Sequence, residues 1–262
     1  MNPYFSRLLP VALMATLLLV AACGDTPDTD RTRLNFLDPD EEARRGIAEF
    51  NAMKTQLRIY ENPQINQIVQ KVGHRLAKVI PVSNAQWEFV IFDDPAPNAF
   101  ALPGGKVGIN TGLFEIAENE AGLAAVIGHE VAHIVARHSG ERLTRGVISA
   151  GAVAAGSYYL NKKAEVDPRL ASLLLSGFAA VNYKAHSREQ ELEADRLGSL
   201  YMARAGFDPC ESVRLWERFA AYRERTGLAE GSSLLRSHPV DSLRIEKLKE
   251  YLPHAMKEYR PL

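Results

Sequence analysis

Residues 125–135 read Ala125-Val126-Ile127-Gly128-His129-Glu130-Val131-Ala132-His133-Ile134-Val135. Apolar residues surround two histidines spaced four apart, one helical turn, so both imidazoles lie on one helix face. Two such nitrogens can grip a single cation, and zinc is the usual choice for imidazole ligands. Glu130 stands one residue step, about 100°, away from that face. It therefore reaches a water at the metal rather than the metal itself. Its role is that of a general base, which later hands the proton to a leaving amine. The competing reading is a helix with two structural histidines; a third ligand would exclude it.

Candidates for that ligand lie in Ser187-Arg188-Glu189-Gln190-Glu191-Leu192-Glu193-Ala194-Asp195-Arg196-Leu197-Gly198. A catalytic zinc site keeps three protein ligands and one open position. Glu189, Glu191 and Glu193 compete for the third place. Only Glu191 has a short carboxylate four residues further on, Asp195. Ligand histidines donate their other N–H to a carboxylate or carbonyl, so the spacing favours Glu191 on the metal and Asp195 orienting His129. Glu193 then points nearly opposite and reads as solvated or ion-paired. On spacing alone, a charged solvated helix face remains the alternative.

Working outward, the flanking segments predict a mainly helical domain with a small sheet. Asp38-Pro39-Asp40-Glu41-Glu42 is a helix start, with a pattern running to about Tyr60. Pro63 opens a second helix, with Ile65, Ile68, Val69, Val72, Leu76 and Val79 at helical spacing. From Gln86 to Asp93 the aromatic and β-branched run predicts a strand. Two shorter strands follow, Phe100–Leu102 and Lys106–Asn110, separated by Pro103-Gly104-Gly105. Beyond Thr111 the pattern is helical, with breaks near Asn119, Ser139-Gly140, Asn161, Asp167-Pro168, Gly206–Pro209 and Gly227–Ser233. The class is α+β. The Gly/Ala-rich stretch Gly146–Leu160 is too short to span a bilayer and reads as a buried or surface-lying helix.

The chain has 262 residues, 46% hydrophobic and 24% charged, with a formal net charge of -1. Bulk charge therefore points to no nucleic-acid partner. Residues 1–22 carry Arg7 and then a short apolar run, a secretory signal pattern. Val20-Ala21-Ala22-Cys23 resembles a bacterial lipobox, which implies cleavage before Cys23 and its acylation. An ordinary signal peptide with an incidental cysteine is the alternative. Residues 23–37 read as a lipid-anchored flexible tether, and 38–262 as the catalytic domain. Cys210 is left without an intrachain partner, so disulfides do not hold the fold.

H-E-x-x-H followed some sixty residues later by S-R-x-x-E-x-E-A-D-x-x-G resembles the HtpX-like and CaaX-prenyl-protease-like zinc metallopeptidases. The likeness is nearest to periplasmic bacterial members of the BepA and LoiP type. It implies a gluzincin-type domain with its sheet beside the metal helix and one zinc per chain. In it, Glu191 is the third ligand, and Asp195 supports a ligand histidine. Asn98-Ala99-Phe100-Ala101-Leu102-Pro103-Gly104-Gly105 is similar to the family segment before the metal helix. Proteases hold substrate as an extended strand at a sheet edge, so Asn98, Ala99, Phe100, Ala101, Gly104 and Gly105 are substrate-binding candidates; a plain hairpin turn is the alternative. Ser237-His238-Pro239 is similar to a downstream histidine segment. There His238 has three readings: a fourth metal donor in a latent enzyme, a stabiliser of the oxyanion, or a cap on the final helix. His138 reads as structural, and His74, His186 and His254 have no motif support.

These implications converge on an envelope endopeptidase, anchored on the periplasmic face of the outer membrane and acting on unfolded or misassembled proteins. Two rivals stand beside it: a lipid-anchored chaperone or assembly factor with a latent metal site, and a metal-binding protein without turnover. The BepA type carries tetratricopeptide repeats after its protease domain, and the present sequence stops before any such repeat.

Overall fold

A computed structural model of the chain describes residues 23–29, 31–148, 186–227, 233–239 and 241–261. The signal segment, residues 149–160 of the Gly/Ala-rich stretch, and the breaks near Asn161 and Asp167 lie outside the described residues.

Helix starts are where the capping chemistry puts them. Asp38 accepts from the backbone N–H groups of Asp40 and Glu41 and opens α1 (Pro39–Gln56). Asn62 does the same for α2 (Pro63–Ala77), through Gln64 and Ile65. Helix α1 ends four residues before Tyr60, earlier than its pattern suggests. Residues 58–60 instead pair with the neighbouring strand, Tyr60 N–H donating to Ile91 O at 2.8 Å.

The sheet comprises β3 (Glu88–Phe92), β4 (Ala99–Leu102) and β5 (Lys106–Asn110), in the order β3-β5-β4. β5 is the buried middle strand, parallel to β3 and antiparallel to β4. The β4–β5 turn needs glycine: Gly104 and Gly105 have φ of +89° and +79°. β4 is thus an edge, and α4 (Glu120–Val135) packs against it. Every residue of α4 from Gly122 to Val135 is buried, so this helix is the centre of the main core.

Beyond it, residues 138–148 are helical. Then come α5 (Arg188–Arg204), α6 (Cys210–Thr226), α7 (Ser233–Ser237) and α8 (Ser242–Glu258), preceded in the chain by the short α3 (Phe114–Ala117). The mainly helical α+β architecture with a small sheet beside the metal helix is what the structure has. No helix among the described residues is long and apolar enough to cross a membrane.

The N-terminal segment departs from the tether reading. Strands β1 (Cys23–Asp25) and β2 (Thr32–Leu34) form an antiparallel hairpin. Thr26 and Asn35 are buried. Arg33 donates to Val135 O at 3.3 Å, Asn35 to Glu42 at 3.0 Å, and Arg204 pairs with Asp28 at 3.0 Å. Composition suggested a solvated linker because the segment has few apolar residues. It docks through charged and polar groups instead, which a hydrophobicity argument does not register.

Candidate metal centre

Two helices crossing at glycines build the site. A Cβ on Gly128 would meet Gly198 O at 3.0 Å, and one on Gly198 would meet His129 N at 2.8 Å. The α4 and α5 backbones can approach this closely only because both positions lack side chains. The register of α5 is set at its start. Ser187 and Gln190 form a reciprocal capping box, which places Glu191 in the first turn. Gln190 also donates to Glu141 at 3.0 Å.

The crossing brings together what the sequence had sixty residues apart. Ligand atoms of His129, His133, Glu191 and His238 all lie within 4.8 Å of one another, and all four side chains are buried. His129 Nε2 and His133 Nε2 are 3.2 Å apart. Glu191 carboxylate oxygens stand 3.4 Å from the first and 3.5 Å from the second. Zinc–nitrogen bonds of about 2.05 Å in a tetrahedron place donors about 3.3 Å apart. The donor set therefore fits a four-coordinate cation. Electrostatics agree. Burial alone would lower His129, but the carboxylates of Asp195 and Glu191 outweigh it and carry the ring up to about 9, so positive charge is favoured there. His133 is pushed well below its ordinary value by burial and by the histidines packed around it, His186 first, leaving a neutral ring with a free lone pair. Burial opposes the Glu191 carboxylate, yet His238 and Arg244 hold it ionised, well below its usual range.

Asp195 lies 2.9 Å from His129 Nδ1, the position expected for a group that orients the ring. Glu130 is buried, and its Oε1 has no hydrogen-bond partner. Burial raises its pKa, against the pull of His238 and His129. A carboxylate raised in this way suits proton transfer near neutral pH.

His238 is at the end of α7, its backbone N–H donating to Leu234 O at 2.7 Å. Its Nδ1 is 2.9 Å from Glu191 and 3.2 Å from His129 Nε2, and its Nε2 is 3.5 Å from Glu130. The helix-cap reading is therefore corrected: Asp241 caps α8 by accepting from Arg244 N–H, and His238 faces the donor group.

Beside the donors runs a cleft of about 330 Å³, lined on one side by Asn98–Pro103 and on the other by Glu130, His133 and His238. Asn98, Ala99, Phe100 and Ala101 reach it. The Phe100 ring also packs on Phe50 and Phe92. Gly104 and Gly105 do not reach it. Their open sides face Ile47 and the Ala85–Trp87 segment, so they serve the hairpin turn.

Three further groups surround the donors, and one of them, Arg244, had no sequence signal. Arg244 is 1% exposed and forks onto Asp195 at 2.8 and 2.9 Å, with Glu191 at 2.8 Å and the Trp216 ring beneath it. His186 lies over His133, ring centroids 3.8 Å apart, and its backbone N–H donates to Ser237 O. Its place directly before the Ser187 cap was the one clue. Glu193 is buried rather than solvated, and ion-paired to Arg31 at 2.7 Å. Cys210 is half-buried and free, with no role at the site.

The profile of peptidase family M48 matches residues 63–252. Mitochondrial metalloendopeptidase OMA1 of Schizosaccharomyces pombe is 35% identical over 234 residues, covering 87% of this chain and 66% of that protein. A putative beta-barrel assembly-enhancing protease of Vibrio cholerae is 30% identical over 239 residues, 87% of this chain and 48% of its own length. The beta-barrel assembly-enhancing protease of Escherichia coli K12 is 26% identical over 256 residues, 91% and 52%. The chain thus spans about half to two thirds of the length of these relatives. With the profile running over most of its length, from before the sheet to α8, the chain belongs to peptidase family M48 and is a metallopeptidase.

Proposed function

We propose that the chain is a zinc-dependent endopeptidase of the bacterial envelope. In this reading His129, His133 and Glu191 hold the ion and Glu130 is the base. One observation carries it: three buried donors converge at zinc-ligand spacing beside a buried carboxylate whose Oε1 makes no hydrogen bond. A zinc ion held there supplies Lewis-acid polarisation of the scissile carbonyl and makes water a stronger acid. The protein's own groups do the rest. Asp195 keeps His129 in the tautomer whose Nε2 lone pair faces inward. Glu130 takes a proton from the attacking water and delivers it to the leaving nitrogen. The edge strand β4 offers backbone to an extended peptide lying in the cleft, through Asn98–Ala101 and not through Gly104 or Gly105.

Substrates of this class are unfolded or misassembled envelope proteins, whose chains can enter a cleft as extended segments. The lipobox-like Val20–Cys23 supports anchorage at Cys23 on the periplasmic face, in the outer membrane. With the hairpin docked from Thr26 onward, the anchor would hold the domain close to the lipid rather than on a long leash. A second reading has one observation in its favour. His238 stands where a fourth donor would, so a closed site could serve a chaperone or assembly role. The names of the bacterial relatives join both ideas, assembly and proteolysis.

The test is metal analysis and casein cleavage on residues 24–262, wild type beside Glu130→Gln. Wild type should carry one zinc and cleave. The variant should keep its zinc and lose activity by about a hundredfold or more, the scale of general-base catalysis. Retained cleavage would exclude Glu130 as the base.

A further inference from the structure

The support of His129 by Asp195 has a counterpart at His133, longer and anchored elsewhere. His133 Nδ1 lies 2.7 Å from His138 Nδ1, and His138 Nε2 lies 2.9 Å from Glu193 Oε2. Glu193 is held by the N-terminal hairpin. Arg31 Nε stands 2.7 Å from Glu193 Oε2, and Thr29 Oγ1 donates to Oε1 at 3.3 Å. The Arg31 guanidinium also forks onto Glu141, at 2.9 and 3.2 Å. His138 is fully buried.

The tautomers along this row follow from one condition. A neutral imidazole has one N–H and one lone pair. If His133 offers its Nε2 lone pair to zinc, its proton sits on Nδ1 and must be donated. The acceptor at 2.7 Å is His138 Nδ1, so His138 carries its own proton on Nε2. That proton meets Glu193, an ionised carboxylate which Arg31 holds in place. Each atom in the row has one available role, and the roles agree.

We propose that His138 and Glu193 are positioning residues for the metal ligand His133, and that Arg31 on the N-terminal hairpin locks them. The inference rests on the reading that His129, His133 and Glu191 bind zinc. It gives the docked hairpin a purpose: the segment leading from the proposed anchor is part of the support of the metal site. A different use of the same residues is less consistent with the distances. His133, His138 and His186 also form a group with ligand atoms within 4.8 Å. Two nitrogens on one zinc lie about 3.3 Å apart, whereas 2.7 Å is the length of a hydrogen bond.

The test is zinc affinity of the metal-free full chain, measured by competition with a chromophoric chelator at fixed pH. Thermal unfolding of the metal-free proteins is recorded alongside. His138→Ala should weaken zinc by about 10–100-fold, the usual effect of losing such a partner. His138→Asn, whose Oδ1 can accept near the former Nδ1, should recover part of that loss. Arg31→Ala, at a partly exposed position, should weaken zinc by about three- to tenfold, and it keeps the test open if His138→Ala does not fold. A role confined to folding would lower metal-free stability and leave affinity unchanged. Zinc binding by His138→Ala within about twofold of wild type would overturn the proposal. Unchanged affinity in Arg31→Ala would remove the hairpin from it. A wild-type chain that binds no zinc would sink the metal reading as well, so the two failures are distinct.

Discussion

At the scale of single residues, the site is decided by which lone pairs are left over. His129 and His133 are neighbours on one helix face, yet each is turned inward by a different acidic group from α5: Asp195 directly, Glu193 through His138. Arg244 then neutralises part of what α5 brings, forking onto Asp195 and touching Glu191. Buried carboxylates of this kind are tolerable only when paired, because leaving one unpaired costs about 3–5 kcal/mol. His238 is the residue whose removal discriminates best. As a fourth donor it would close the site, and His238→Ala would then weaken zinc by about tenfold or more while raising casein cleavage per bound zinc. The readout is cleavage rate normalised to metal content. A loss of cleavage with zinc retained would assign it to the oxyanion instead.

Between elements, the decisive contact is the α4–α5 crossing. Alanine in place of an interior helical glycine gains about 0.5–1 kcal/mol of helix propensity. At position 198 the added Cβ meets the His129 backbone at 2.8 Å, and overpacking costs about 1–3 kcal/mol. The steric effect wins. Gly198→Ala should lower the urea midpoint and weaken zinc binding, since it separates Glu191 from the histidines. Gly146→Ala is the internal control: among the described residues nothing lies within 4 Å of where a Cβ would stand, so it should be neutral or stabilising. A raised midpoint for Gly198→Ala would show that the helices separate without cost.

These element-level features were unequally legible. The caps Asp38, Asn62 and Ser187 are local, contacting residues two or three positions away, and helix starts could be read from them. So could the strand at Lys106–Asn110. The hairpin Cys23–Leu34 could not, because it is held by polar pairs spanning great sequence distance: Arg31 to Glu141 crosses 110 residues. Likewise Arg244 meets Asp195 across 49 residues, and no spacing rule connects them.

For the whole molecule, the same long-range pairs set the acid response. Burial would raise the Glu141 carboxyl, but Arg31 and Gln190 outweigh it and hold it below its usual value. Glu88 is lowered likewise, with Lys54 and Lys106 opposing burial. A carboxyl whose folded pKa is depressed binds protons more readily when unfolded. Its contribution is therefore complete above the unfolded value of about 4.5, and it is lost as the pH falls through the folded one. The urea midpoint of the metal-free chain should fall as the pH drops below about 6.5, where the unfolded chain protonates a histidine that the fold keeps neutral, His133, and fall further below about 4.5 through these carboxylates. Glu141→Gln should flatten part of the decline. A midpoint that rises on acidification would contradict the pairing.

The sequence by itself pointed to the reaction class, because H-E-x-x-H on an apolar helix is a local geometry: two histidines one turn apart, and a carboxylate one residue step off their face, need no tertiary information. It also favoured Glu191 and Asp195 through their helical spacing, and the family resemblance pointed to the same pair. The tertiary structure alone decided which groups complete that geometry. Two backbones meet at Gly128 and Gly198, His238 folds back from α7, Arg244 enters from α8, and the N-terminal hairpin reaches Glu193. These are contacts between segments far apart in the chain. Their energies come from burial and charge pairing after collapse, and residue spacing carries no record of them.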